Sequence, residues 1–304
     1  MLHDIVSVLP TSIGSIIKNL SPMTKERVEE IRIRVRRPLE IITDGVPIFP
    51  PYTVTEEDGQ QLLNKISQYS IYALEEELKR GYITVAGGHR IGLAGKVITE
   101  KGKVKAIRDI SSFNIRIAKQ KIGIATKLIP YLYEKKWEST MVIGAPQTGK
   151  TTLLRDIARI MSMGDNERSI PSCKVGIVDE RSEIAGSVKG IPQHELGVRV
   201  DVLDSCPKAE GMMMLIRSMS PDVIVVDEIG RDEDSIATME AVNAGVGLLM
   251  SVHGSSLEEL QTRPSIKKIL DLKAIKRFVL LTRSNGPGSI ERIFDEQGKI
   301  IYGK

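Results

Sequence analysis

Two cysteines, four histidines, one tryptophan and 4% aromatic residues are what this 304-residue sequence offers of the chemically distinctive side chains. Cys173 and Cys206 are too few for a disulfide framework and share no metal-ligand spacing. We expect a reduced, intracellular chain with both thiols as small buried residues. No His/Cys cluster has the spacing of a zinc site, and no four-cysteine motif is present. No apolar run approaches the roughly 18 residues that a bilayer-spanning helix needs. The opening Met1-Leu2-His3-Asp4 lacks the basic-then-apolar order of a signal peptide. The expectation is a cytoplasmic protein without direct membrane insertion, reaching a membrane only through a partner. Charge of one sign is also missing: 43 Lys and Arg against 39 Asp and Glu leave +4, which does not mark a nucleic-acid binder. Internal repeats and low-complexity segments are absent.

What is present suffices for a core, since 41% of residues are hydrophobic, and the length favours two domains. Residues 1–125 read as a small α+β domain. Residues 1–20 suggest one or two short helices, and Ser21-Pro22 an N-cap with proline at the first helical position. Ile31 to Arg36 alternates apolar and arginine, which is strand periodicity with Arg32, Arg34 and Arg36 on one face. That face is either solvated or open to an acidic partner. Leu39 to Ile48 reads as a hairpin around Asp44-Gly45. Thr55 and Asp58 resemble a capping box opening a helix to about Arg80. Gly81–Ala86 and Arg90–Gly95 read as strands joined at 87–89, with Val97 and Val104 continuing the sheet. Residues 101–121 carry seven Lys and Arg against Asp109, a solvated face or a source of arginines for a nucleotide site.

From Trp137 the pattern changes, and residues 126–304 read as an α/β domain. Met141–Ile143, Lys174–Val178, Val223–Val226 and Gly247–Val252 are apolar, strand-like runs that alternate with helical stretches. Strands buried on both faces between helices imply a mostly parallel sheet. Arg277–Thr282 and Ser289–Phe294 follow as two further strands around a turn at 285–288.

The first of the apolar runs leads into Gly144-Ala145-Pro146-Gln147-Thr148-Gly149-Lys150-Thr151-Thr152, and helical spacing follows it. Strand, G-x-x-x-x-G-K-T, helix is the context of a phosphate-binding P-loop. Backbone amides and the positive helix end would face phosphate oxygens. Lys150 would reach the β- and γ-phosphates, and Thr151 would hold Mg²⁺. ATP and Mg²⁺ are therefore the expected cofactors. Val223–Val226 ends in Asp227-Glu228, at the carboxyl edge where open α/β sheets bind ligands. Asp227 could hold Mg²⁺ and Glu228 could act on water. A second strand ends in Asp179-Glu180-Arg181-Ser182-Glu183. His253 stands at the tip of a third, placed to sense a γ-phosphate, while His89 and His194 make weaker candidates.

P-loop, the 179–183 acids, the 227–228 acids and His253, in that order, resemble the secretion ATPases of type II and type IV systems and type IV pili. There the order is Walker A, Asp box, Walker B, His box. The resemblance covers about residues 138–262 and implies a RecA-like domain in a hexamer. Glu183 best matches the family's general base. Val226-Asp227-Glu228 departs toward the Asp-Glu form of other P-loop motors, so the base stays open between Glu183 and Glu228. Length and the segments Ile31–Arg37, Leu39–Ile48 and Gly81–Lys96 resemble a branch of this family from endospore-forming bacteria. That branch implies a cytoplasmic ATPase on the mother-cell side of a channel to the forespore, with integral-membrane partners.

The reading is an ATP-hydrolysing ring motor with ATP at subunit interfaces. Arg116 or Arg108, with Arg90 weaker, would neutralise transition-state charge there. Two alternatives stand beside it. A nucleic-acid-dependent P-loop ATPase is disfavoured because no R3H pattern (Arg, three residues, His) occurs. A nucleotide-gated scaffold with little turnover is disfavoured by the intact acids.

Overall fold

Pro10 separates the first two helices, α1 (Leu2–Val8) and α2 (Thr11–Lys18), because proline lacks the amide a continuing helix would use. The computed structural model describes residues 2–67, 78, 81–100, 102–284 and 286–303. Residues 68–77 and 79–80 of the expected helix after Thr55, Lys101 of the basic segment and Asn285 of the expected turn lie outside the described residues. The Cα packing divides the chain into two units, residues 1–119 and 120–304. Residues just after the division belong with the second: Gln120 bonds the Glu195 backbone, and the Ala125 amide donates to Asp156 at 2.8 Å.

The first unit is built on a six-stranded sheet, ordered β3-β2-β1-β6-β5-β4 and antiparallel throughout its described pairings. Helix α3 (Pro22–Arg27) starts as expected, with Ser21 Oγ accepting the Thr24 amide at 3.1 Å. β1 (Val28–Arg34) then buries Ile31 and Ile33 completely. Its arginines face the other way and are neutralised: Arg32 meets Glu30 at 2.8 Å, and Arg34 meets Glu40 at 2.6 Å. The strand is shorter than the alternation suggests, since the backbone turns at Arg36 (φ 62°). β2 (Glu40–Thr43) and β3 (Val46–Ile48) pair around Asp44 (φ 50°) and Gly45 (φ 77°), the left-handed pair that a tight hairpin turn requires. α4 (Glu56–Ile66) opens on a complete capping box between Thr55 and Asp58. β4 (Tyr82–Val85), β5 (His89–Glu100) and β6 (Lys103–Arg116) complete the sheet. Much of the basic run is therefore strand, with Lys105, Arg108 and Arg116 on β6.

The second unit carries an eight-stranded sheet in the order β14-β13-β12-β7-β11-β10-β8-β9. Its elements run α5 (Ile129–Leu132), β7 (Thr140–Gly144), α6 (Lys150–Met163), β8 (Val175–Asp179), β9 (Val200–Asp204) and α7 (Lys208–Ser218). They continue with β10 (Val223–Val226), α8 (Asp232–Asn243), β11 (Gly247–His253), α9 (Leu257–Gln261), α10 (Pro264–Asp271), β12 (Arg277–Thr282), β13 (Ser289–Asp295) and β14 (Ile300–Tyr302). Strands from β12 to β9 are parallel, and β13 and β14 turn back antiparallel at one edge. Alternate residues feed two cores, one on each face: Val142 packs with Leu153 and Ile157, while Met141 and Ile143 pack with Val226 and Met250. β9 was not legible as a strand because Val200-Asp201-Val202-Leu203-Asp204 is half-exposed at the sheet edge. The thiols of Cys173 and Cys206 are free as expected but only partly buried, since both sit near the rim of the sheet rather than inside it.

Candidate active site

Register assembles the site. In the parallel ladder His253 lies opposite Gly144, Met250 opposite Val226 and Val178 opposite Val226. The residues that follow β7, β8 and β10, and the end of β11, therefore emerge side by side at the carboxyl edge of the sheet. Each of these strands is buried on both faces, so sliding one by a residue would send every side chain into the opposite core, where its packing partners differ.

The loop from Gly144 to Gly149 joins β7 to the N-terminus of α6. Gly149 takes φ 92° and an added Cβ would lie 2.7 Å from the Gly288 amide nitrogen, so glycine is required there. Thr148 turns inward, with its hydroxyl on the Ala145 carbonyl at 2.8 Å and its own carbonyl accepting the Gly288 amide at 2.7 Å. Ala145, Pro146 and Gln147 form the exposed crest. Lys150 is almost fully buried. Its ammonium donates to the Gly144 carbonyl at 2.9 Å, the Ala145 carbonyl at 3.0 Å and His253 Nδ1 at 3.1 Å. Burial holds it below the ordinary lysine range, while Asp227 and Glu228 pull it back up.

A lysine ammonium can only donate, so His253 Nδ1 accepts and the ring proton sits on Nε2. That nitrogen faces Glu228 Oε1 at 2.9 Å, and Arg181 pairs with the other oxygen of Glu228. Beside them Thr151 Oγ1 donates to Asp227 Oδ2 at 2.5 Å. Ser251 Oγ bonds Asp227 Oδ1 and accepts the Glu228 amide at 2.9 Å. Lys150, Thr151, Asp227, Glu228 and His253 thus form one connected set. Glu183 joins it across a narrow cleft lined by Glu180, Arg181, Lys208, Asp227 and Glu228.

Glu183 sits in a clamped loop. Asp179, buried at the end of β8, accepts the Glu183 amide at 2.7 Å and the Ala185 amide at 2.8 Å. Burial raises its pKa against the pull of those bonds. From the other side Arg155, on α6, donates to the Ile184 and Glu183 carbonyls, each at 2.6 Å. Burial lowers this guanidinium to about 10, with Asp179, Asp227 and Glu183 opposing the fall. Sequence reading missed Arg155 and Ser251. The available signals were a charge inside an amphipathic helix and a lone hydroxyl inside an apolar strand. It also missed Arg181 on Glu228 and Arg283, whose guanidinium reaches Gln147 at 2.7 Å. Arg90, Arg108 and Arg116 belong to the first unit, on β5 and β6, where Arg90 lies 4.7 Å over the Tyr82 ring. His89 is fully buried there and accepts the Ala118 amide at 3.0 Å, a structural role.

Hydroxyl, carboxylate and ammonium at a helix N-terminus suit a magnesium nucleotide: hard oxygens for the cation, donors for phosphate. No helix among the described residues is long and apolar enough to cross a membrane, and no His/Cys/Asp/Glu group there could hold a resident metal by itself. Comparison with known proteins bears on the fold and the family. The ATPase DotB of Legionella pneumophila superposes with a TM-score of 0.60 at 17% identity, covering 94% of this chain and 81% of that one. The pilus retraction motor PilT, solved with bound ADP, gives 0.60 at 15% identity over 88% of this chain and 76% of its own. These likenesses show a RecA-like fold. The stage III sporulation protein AA of Bacillus subtilis (strain 168) is 53% identical over 300 residues, 99% of this chain and 97% of that protein. The family model for sporulation stage III, protein AA matches residues 2–301, and the chain belongs to that family.

Proposed function

We propose that the chain is an ATP hydrolase working as a hexameric ring motor, which energises a channel between mother cell and forespore from the mother-cell cytoplasm. The observation that carries the reading is the Thr151–Asp227 bond, which joins the P-loop helix to the end of β10 where a nucleotide-bound cation would sit. Family membership supplies sporulation, and the fold supplies the likeness to motors. Bound Mg–ATP would bring the phosphoryl group and its counter-charge, with Thr151 and Asp227 holding the cation. Lys150 would exchange its two carbonyl partners for phosphate oxygens. His253 bridges Lys150 and Glu228, so that exchange is felt at Glu228. Glu183 or Glu228 would take the proton of the attacking water. Arg116 or Arg108 of a neighbouring copy would meet the phosphates from across the subunit interface, and integral-membrane proteins would anchor the ring.

The test is ATP hydrolysis by the purified chain against Lys150→Ala, with light scattering for mass. Turnover lost by about 100-fold or more in the variant, from a species several times the monomer mass, is the expected result. Turnover indifferent to Lys150 would overturn the reading.

A further inference from the structure

Helices α7 and α8 pack side by side and leave a groove of about 970 Å³ between them on the second unit. Its floor is lined by Met213, Met214 and Ile236 together with Ala209 and Ala237. Met214 is 51% and Ile236 60% exposed, an apolar floor of the kind that soluble proteins keep for partners. The opposite faces of both helices are already used, since Met212, Leu215 and Ala241 sit in the core. The rim is acidic: Glu210, Glu233 and Glu240 against Arg217.

We propose that this groove is the docking site for an amphipathic helix of a partner protein, one with an apolar stripe flanked by Lys and Arg. A trough between two packed helices matches the ridge of a third. Methionines adapt to the shape of an apolar stripe, and three carboxylates against one guanidinium select basic flanks. A second copy does not supply such a helix: elsewhere among the described helices the exposed large hydrophobics are isolated, Met23 on α3 and Met163 at the end of α6. The groove is also wired to the acids of the site. Lys208, the first residue of α7, pairs with Glu180, and Asp234 in the first turn of α8 holds the Gly230 and Arg231 amides just after Glu228. A helix seated here would pull on both connections.

The test uses the full-length chain and two fluorescein-labelled synthetic helices of about 18 residues. Both carry the same leucine stripe, flanked in one by Lys and in the other by Glu. Fluorescence anisotropy reads binding without nucleotide, so the outcome is independent of ATP turnover. The Lys-flanked helix should bind at least about tenfold more tightly than the Glu-flanked one. Met214→Asp and Ile236→Asp should each weaken it by about tenfold. Glu233→Lys with Glu240→Lys, which spares the floor and the packing, should reverse the preference. Equal binding of the two helices, no binding of either, or affinity unaltered by the floor and rim variants would overturn the proposal. So would a fall in oligomer mass with Ile236→Asp, which would put a second copy in the groove.

Discussion

Arg155 illustrates how a single side chain can join two parts of a site. It rises from the helix that begins at Lys150 and holds the carbonyls of Glu183 and Ile184, while Asp179 holds the amides of the same loop. Arg155→Lys keeps a cation but loses the fork that reaches two carbonyls. Turnover at saturating ATP should fall about tenfold or more with nucleotide affinity little changed, because the loop shifts rather than the P-loop. An equal loss of affinity would assign Arg155 to the P-loop alone. Glu183→Gln and Glu228→Gln separate the two candidate bases. The variant of the true base should lose about 100-fold or more in turnover yet still bind ATP, measured by single-turnover hydrolysis and equilibrium binding. Cys173 gives a pH prediction. Burial raises its thiol to about 11, with the Asp222 charge adding to the shift. The reactive thiolate is the deprotonated form, so alkylation by iodoacetamide should climb about tenfold per pH unit until near pH 11. A rate that levels off near pH 9 would refute the shift.

At the scale of elements, capping carried over from sequence to structure residue by residue, and the alternation held from Ile31 to Arg34. The Thr55–Asp58 box, the Ser21 cap and the Asp44-Gly45 turn are local devices whose partners lie within a few positions, so no tertiary contact is needed to see them. The β1 alternation makes a stability prediction. Ile33→Ala opens a cavity in a fully buried site and should cost about 2–5 kcal/mol. Arg32→Ala removes a partly exposed ion pair and should cost about 1 kcal/mol or less. Urea unfolding of the two variants measures the contrast, and comparable losses would mean that the face assignment is wrong. The β5–β6 hairpin was under-read because its outer half is solvated on both sides, with Val97 and Val104 about half exposed. Hydrophobic periodicity fades where nothing is buried.

For the whole molecule, removal of Mg²⁺ separates a cation carried by nucleotide from one that the fold itself requires. In the proposed function Thr151 and Asp227, joined by a hydrogen bond, would offer oxygen ligands without a closed cage, so the cation should arrive with nucleotide and leave with it. EDTA should abolish ATP turnover while leaving the far-UV circular dichroism spectrum unchanged, and added Mg²⁺ should restore activity. Loss of secondary structure on chelation would instead indicate a metal that the fold itself requires.

The glycine-rich loop between strand and helix, the apolar strands and the order of the acidic strand ends were legible in the sequence. These are one-dimensional signals, a spacing or a period along the chain. Which of those groups touch follows from the folded arrangement. The parallel register sets His253 beside Gly144 and leaves Lys150, His253 and Glu228 in one hydrogen-bonded line. Packing alone brought Arg155 to the Glu183 loop and left α7 and α8 with an apolar groove between them. Contacts between positions tens of residues apart depend on how strands order and helices cross, and no local spacing encodes that.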